Sequence, residues 1–160
     1  MRTNATHSEL SSTESNTIFG ASPFAVELFD RLPVAVYTCD PSGFITSYNQ
    51  AAALLWGRKP ELNKDLWCGS WKVFYTNGER MALDSSPMAV ALSEGSHAGG
   101  IEITLERPDG SRKNVIEHPV LLFDDRGQLC GAVNTVIDIA EQRDTEIQLL
   151  KLLSQVKELS

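Results

Sequence analysis

Several things are scarce in this chain of 160 residues. There are three cysteines, Cys39, Cys68 and Cys130, too few and too odd in number for a disulfide framework. A reducing compartment is therefore expected, and the location is read as cytoplasmic. Basic residues are in deficit, 14 against 21 acidic, for a net charge of −7. That excludes nonspecific nucleic-acid binding, which needs cations to displace counterions from phosphate, and it excludes a basic membrane-surface anchor. No apolar run approaches the roughly 20 residues that cross a bilayer, so direct membrane insertion is not expected. The first twenty residues lack the charged-then-apolar order of a signal peptide. Enzyme motifs are missing too: there is no G-x-S-x-G, no phosphate-cradling glycine loop and no H-E-x-x-H. His7, His97 and His118 share no metal-ligand spacing with each other or with cysteine. The chain is not expected to be an enzyme or to hold a metal.

What is present reads as one domain with tails. Residues 1–20 are polar and aperiodic, and are expected to be a disordered leader. Phe24, Ala25, Leu28 and Leu32 recur at helical spacing, so 23–31 is a short helix stopped by Pro33. Residues 34–39 are a β-branched and aromatic run. Asp40-Pro41-Ser42-Gly43 then supplies the residue types of a tight turn, and 44–48 returns as a second strand. Asn49 is a good N-cap for a helix over 50–56, with Gly57 as its stop. Residues 58–83 read as irregular and rich in aromatics. Asp84 or Ser85 is expected to cap another helix that has Pro87 in its first turn and Gly95 past its end.

Three strands follow, over 101–106, 114–123 and 129–139, separated by the turns Pro108-Asp109-Gly110 and Asp124-Asp125-Arg126-Gly127. Pro119 removes a ladder donor, which places an edge or a bulge there. Strands at both ends with helices between them predict an α+β domain, a five-stranded antiparallel sheet with short helices on one face. Residues 140–160 contain no Gly or Pro. Leu149, Leu152, Val156 and Leu159 step by three, four and three, an a/d seam of about two heptads. Because that seam runs to the last residue, the natural chain is expected to continue beyond it.

The strand order and turns resemble the PAS domain, a small sensory module of bacterial signalling proteins. The resemblance covers about 21–139. It rests on VYTCDPSGFITSYN (36–49), on PDG (108–110) and on DDRGQLCGAVNTVIDIAEQ (124–142). Asp138-Ile139-Ala140 is similar to the family's Asp-Ile-Thr junction, with Ala140 in place of the threonine. The exit segment 140–160 is similar to linkers that enter the dimerisation region of HWE-type histidine kinases. The resemblance implies a PAS-like domain with a C-terminal signalling helix that relays a signal to a downstream output domain in the same parent chain. That output is expected to be a sensor histidine kinase of a two-component system. It also implies a homodimer through the terminal helices, by way of Phe24, Leu28, Leu149, Leu152, Val156 and Leu159.

In this family the cavity lies between sheet and helices. Tyr37, Cys39, Trp56, Trp67, Met88, His118 and Asn134 are the candidate pocket residues, with Tyr37, His118 and Asn134 as polar tips. They serve either to recognise a small organic ligand or simply to fill the core. No cofactor is expected. Cys68, in Trp67-Cys68-Gly69-Ser70-Trp71, does not match the reactive-cysteine helix of the light-sensing subgroup. Cys39 and Cys130 read as small buried hydrophobes. His97 lies among glycines, poorly fixed for haem ligation. A ligand-free interaction module and a haem- or flavin-bearing sensor are the alternatives.

Overall fold

A computed structural model describes residues 22–96 and 99–159. The leader, His7 and His97 lie outside the described residues. Helix α1 (Pro23–Arg31) starts at Ser22, whose hydroxyl accepts from the Ala25 N–H, and has Pro23 at its first position. It stops just before Pro33, and Phe29 is its buried residue. Strands β1 (Ala35–Cys39) and β2 (Ile45–Tyr48) form the expected hairpin. The Asp40 carboxylate builds the turn by accepting from the Ser42 and Phe44 amides, each at 3.0 Å, and Gly43 takes a φ of 97°.

Asn49 joins that hairpin to α2 (Gln50–Trp56). Its Oδ1 accepts from the Ala52 and Val36 amides at 3.0 Å, and its Nδ2 donates to the Val34 carbonyl at 2.8 Å. One fully buried side chain thus caps a helix and fastens it to the first strand. Gly57 ends α2 in the left-handed region, and Arg107 donates to the Leu55 and Leu54 carbonyls at that end.

The segment 58–83 departs from its sequence reading. It holds β3 (Lys72–Phe74) and β4 (Arg80–Met81), so the sheet has seven strands among the described residues, not five. Strands of three and two residues are too short for alternation to reveal. They exist because β5 offers β3 an edge, pairing Val73 with Leu105. The cap of α3 (Pro87–Glu94) also moves. Leu83–Ser85 forms a 3-10 turn, and the cap position falls to Ser86, whose hydroxyl is buried and does not bond the helix. Gly95 closes α3 as expected.

Strands β5 (Ile101–Glu106), β6 (Arg112–Phe123) and β7 (Leu129–Asp138) complete an antiparallel sheet of order β2-β1-β7-β6-β5-β3-β4. The β1–β7 pairing, undetermined by the turns, unites the two ends of the chain. Pro119 lies two residues past the last β6 residue paired with β5, so its missing donor leaves no gap on that side. Helices α2 and α3 cover one face through Ala52, Trp56, Met88 and Ala91, which join the core. Helix α4 (Ile139–Leu159) follows β7 without a loop and leaves the core after Ile139. No helix among the described residues is long and apolar enough to cross a membrane.

Candidate functional site

Strand alternation selects the inward set. Register places Tyr37 opposite Asn134, Asn134 opposite Pro119, and Glu117 opposite Val136 and Ile101. The face beneath α2 and α3 therefore carries Tyr37 and Cys39 from β1, Val115, Glu117 and Leu121 from β6, and Ala132, Asn134 and Val136 from β7.

Of the seven pocket candidates, Tyr37, Cys39, Trp56, Met88 and Asn134 are buried in this core. Trp67 is half-buried, in a left-handed backbone conformation, with its ring against Gly43. His118 is a correction. It is exposed on the opposite face and packs over Gly100, because it stands one place from the inward-facing Glu117. Cys130 is also corrected: it is exposed, because the β6–β7 register shifts there, Leu122 pairing with Gly131 and Phe123 with Leu129, so Cys130 falls out of the alternation that turns Ala132 inward.

The two polar tips that do meet form a chain. The Asn134 side-chain N–H donates to the Tyr37 hydroxyl at 3.1 Å, and that hydroxyl donates to the Trp67 carbonyl at 2.7 Å. The Tyr37 ring meets Trp56 edge-on at 5.1 Å between centroids, and Trp56 meets Tyr48 at 6.0 Å. Beside this chain sits Glu117, fully buried, which the sequence reading passed over. The signal was available, since Val115 and Leu121 facing inward on a strand require Glu117 to do the same.

Five buried side-chain atoms have no hydrogen-bond partner among the described residues: Trp56 Nε1, Ser86 Oγ, both Glu117 oxygens and Asn134 Oδ1. Such atoms are costly to leave unpaired, and three of the five belong to Glu117 and Asn134. Burial pushes the Glu117 carboxyl up to about 7, with the Asn134 amide pulling the other way. Burial also raises the Tyr37 hydroxyl well above its usual value, with Glu117 adding to the effect. The Cys39 thiol is pushed upward by burial, and the Cys68 thiol up to about 12 by burial and then by Glu117. Both stay protonated, without the thiolate that nucleophilic chemistry requires. Neither of these buried thiols is an activated nucleophile.

The junction between β7 and α4 is equally defined. The Asp138 carboxylate accepts from the Ala140 and Glu141 amides at 3.0 and 3.4 Å, and pairs with Lys113 at 3.4 Å. Asp138 thereby caps α4 while tied to β6, and Ile139 is buried beneath it. Ala140 is exposed and carries no hydroxyl for this junction. A groove of about 620 Å³ opens here, lined by Val34, Leu54, Val136, Asp138, Gln142 and Thr145. Phe24 and Leu28 on α1, and Leu149, Leu152 and Val156 on α4, are all exposed. Leu159 lies at the end of α4, its side chain outside the description.

A family model described as PAS domain matches residues 27–79. No curated protein matches the chain in sequence. Among solved structures, the chain is similar to an RNA-binding light-oxygen-voltage receptor at 17% identity and a TM-score of 0.54, covering 82% of this chain and 36% of that one. The chain thus spans little more than a third of that receptor. It is similar to the PAS domain of an HTR-like protein from Haloarcula marismortui, with 19% identity, a TM-score of 0.51, and coverage of 84% and 98%. The PAS domain of BvgS from Bordetella pertussis gives 18%, 0.50, and coverage of 80% and 92%. By these comparisons the described chain has the α+β PAS fold, closed by a long C-terminal helix.

Proposed function

We propose that this PAS-fold domain is a cytoplasmic sensory and dimerisation module. Its input is the Tyr37–Asn134–Glu117 core, and its output is α4, which passes the change to a downstream domain. We assign that domain as a histidine kinase of a two-component system, on the likeness of the exit segment to kinase linkers. One observation carries the reading. Asn134, which holds the buried chain, and Asp138, which caps α4, lie on the same strand four residues apart, with no loop between that strand and the helix. Residues i and i+4 of a strand share a face, so a shift of Asn134 is transmitted along stiff backbone to the cap.

The exposed leucines of α4 fit a second copy of this chain, since two heptads alone are marginal and an apolar seam gains stability by pairing. We assign no haem to the core, as His118 faces away from it, and no covalently reacting flavin, as Cys68 does not match a reactive-cysteine helix. A strong switch, from 1:99 to 99:1 between two states, requires about 5.5 kcal/mol of differential binding at the input.

The test is hydrogen exchange on the full chain and on Asn134→Ala, with native mass spectrometry of both. The expected result is a dimer whose first α4 turns exchange faster in the variant. A monomeric wild type, or α4 exchange indifferent to Asn134, overturns the reading.

A further inference from the structure

We propose that Glu117 is a proton-operated latch on the core. When protonated, its carboxyl donates to Asn134 Oδ1 and holds the other end of that amide on Tyr37. When ionised, it draws the Asn134 N–H groups to itself and loosens the Tyr37 bond. The proton passes to and from solvent. This rests on the reading of the core as the input site.

The argument begins with an imbalance of acceptors. Both Glu117 oxygens and Asn134 Oδ1 are buried acceptors with nothing to accept among the described residues. Glu117 pairs with Val136 and Asn134 with Pro119, so Glu117 and Asn134 are diagonal neighbours on the same face of β6 and β7. The titratable groups turned toward Glu117 are Tyr37 and Cys39 of β1 and Cys68 of the loop before β3, and burial keeps each of them neutral. On its own strand, Lys113 is engaged by Asp138. From β5, register brings Ile101 opposite it, from β7 Val136, and α2 and α3 contribute Trp56 and Met88, none of them titratable. Arg107 is occupied at the end of α2. A bare carboxylate in these surroundings has no compensating charge. A proton on Glu117 removes the charge and supplies the missing donor, satisfying an oxygen of Glu117 and Asn134 Oδ1 together.

Ionisation therefore acts on Asn134 first, because its amide is the neutral hydrogen-bonding group diagonally next to the carboxyl on the same face. That amide also holds Tyr37, and through it the Trp67 carbonyl. Asp138, the α4 cap, is four residues further along β7.

The experiment is a pH titration of the isotope-labelled wild-type chain by NMR, reading glutamate carboxyl carbons and backbone amides. One glutamate is expected to titrate near pH 7, outside the ordinary carboxylate range. The Asn134 side-chain amide and the 138–141 backbone amides should move with the same midpoint, and Glu117→Gln should abolish that shared transition. The wild-type carboxyl titration stands even where the variant fails to fold. The latch is overturned when every glutamate titrates in the ordinary range, or when the 138–141 amides ignore the Glu117 transition. In either case a dimer whose α4 still responds to Asn134→Ala leaves the proposed function in place.

Discussion

The side-chain amide of Asn134 lies 3.1 Å from the hydroxyl of Tyr37, a contact between residues 97 positions apart. It bridges β1 and β7, the first and last strands in chain order, inside the buried core. Tyr37 in turn fixes the Trp67 carbonyl, so one contact holds three distant parts of the chain.

Truncating Asn134 to Ala should cost roughly 1–3 kcal/mol, the range for leaving a buried hydrogen-bonding group without its partner. Tyr37→Phe should cost a similar amount, since it strands both the Asn134 N–H and the Trp67 carbonyl. The two changes should be non-additive, because they break one chain. Urea unfolding of the single and double variants measures this; simple additivity would show the chain to be two independent contacts.

Stability should depend on pH through Glu117. Its folded-state value is raised to about 7 from an ordinary 4.5, so the folded protein binds the extra proton between those values. The stabilisation is present at and below about pH 4.5 and is lost as pH rises through 7, an upper limit of about 3 kcal/mol at 1.36 kcal/mol per pH unit. Denaturation curves at several pH values should show this fall, and the Glu117→Gln variant should lack it.

Asn49→Ala should be among the more damaging single changes in the chain. It removes a helix cap worth about 1 kcal/mol and also exposes the Val36 amide and the Val34 carbonyl to an unpaired state. A loss of roughly 2–4 kcal/mol is expected from thermal or urea unfolding.

Leu152→Asp with Val156→Asp should convert a dimer to a monomer while leaving the domain folded. Both positions are exposed on α4, so their change should move the stability of the domain itself by about 0.5 kcal/mol or less. Sedimentation velocity reads the mass, and an unchanged mass refutes the pairing of α4.

His118→Ala should have a comparably small effect on stability, about 0.5 kcal/mol or less, and none on anything held in the core. A change in core chemistry on this substitution, read from the Tyr37 and Trp56 near-ultraviolet dichroism, would contradict its outward orientation.

The sequence by itself determined the features whose physics is local. Asp40 and Gly43 make their turn with groups two to four residues away, Asn49 caps α2 three residues on, and Gly57 and Gly95 stop their helices through their own backbone freedom. The apolar seam of α4 was equally visible, since it needs only helical spacing. Tertiary structure alone decided the rest. Strands β3 and β4 form because β5 presents an edge to them, and no pattern of two or three residues encodes that edge. Ser86 takes the cap position because a 3-10 turn precedes α3. The pairing of β1 with β7 joins segments a hundred residues apart, which turn chemistry cannot specify. His118 and Glu117 show the limit most sharply. Both are polar residues on one strand, and period two says only that they face opposite ways. Which face is closed over by α2 and α3 is settled by the packing of the whole sheet, and that packing left Glu117 inside, beside Asn134, its carboxyl oxygens unpaired among the described residues.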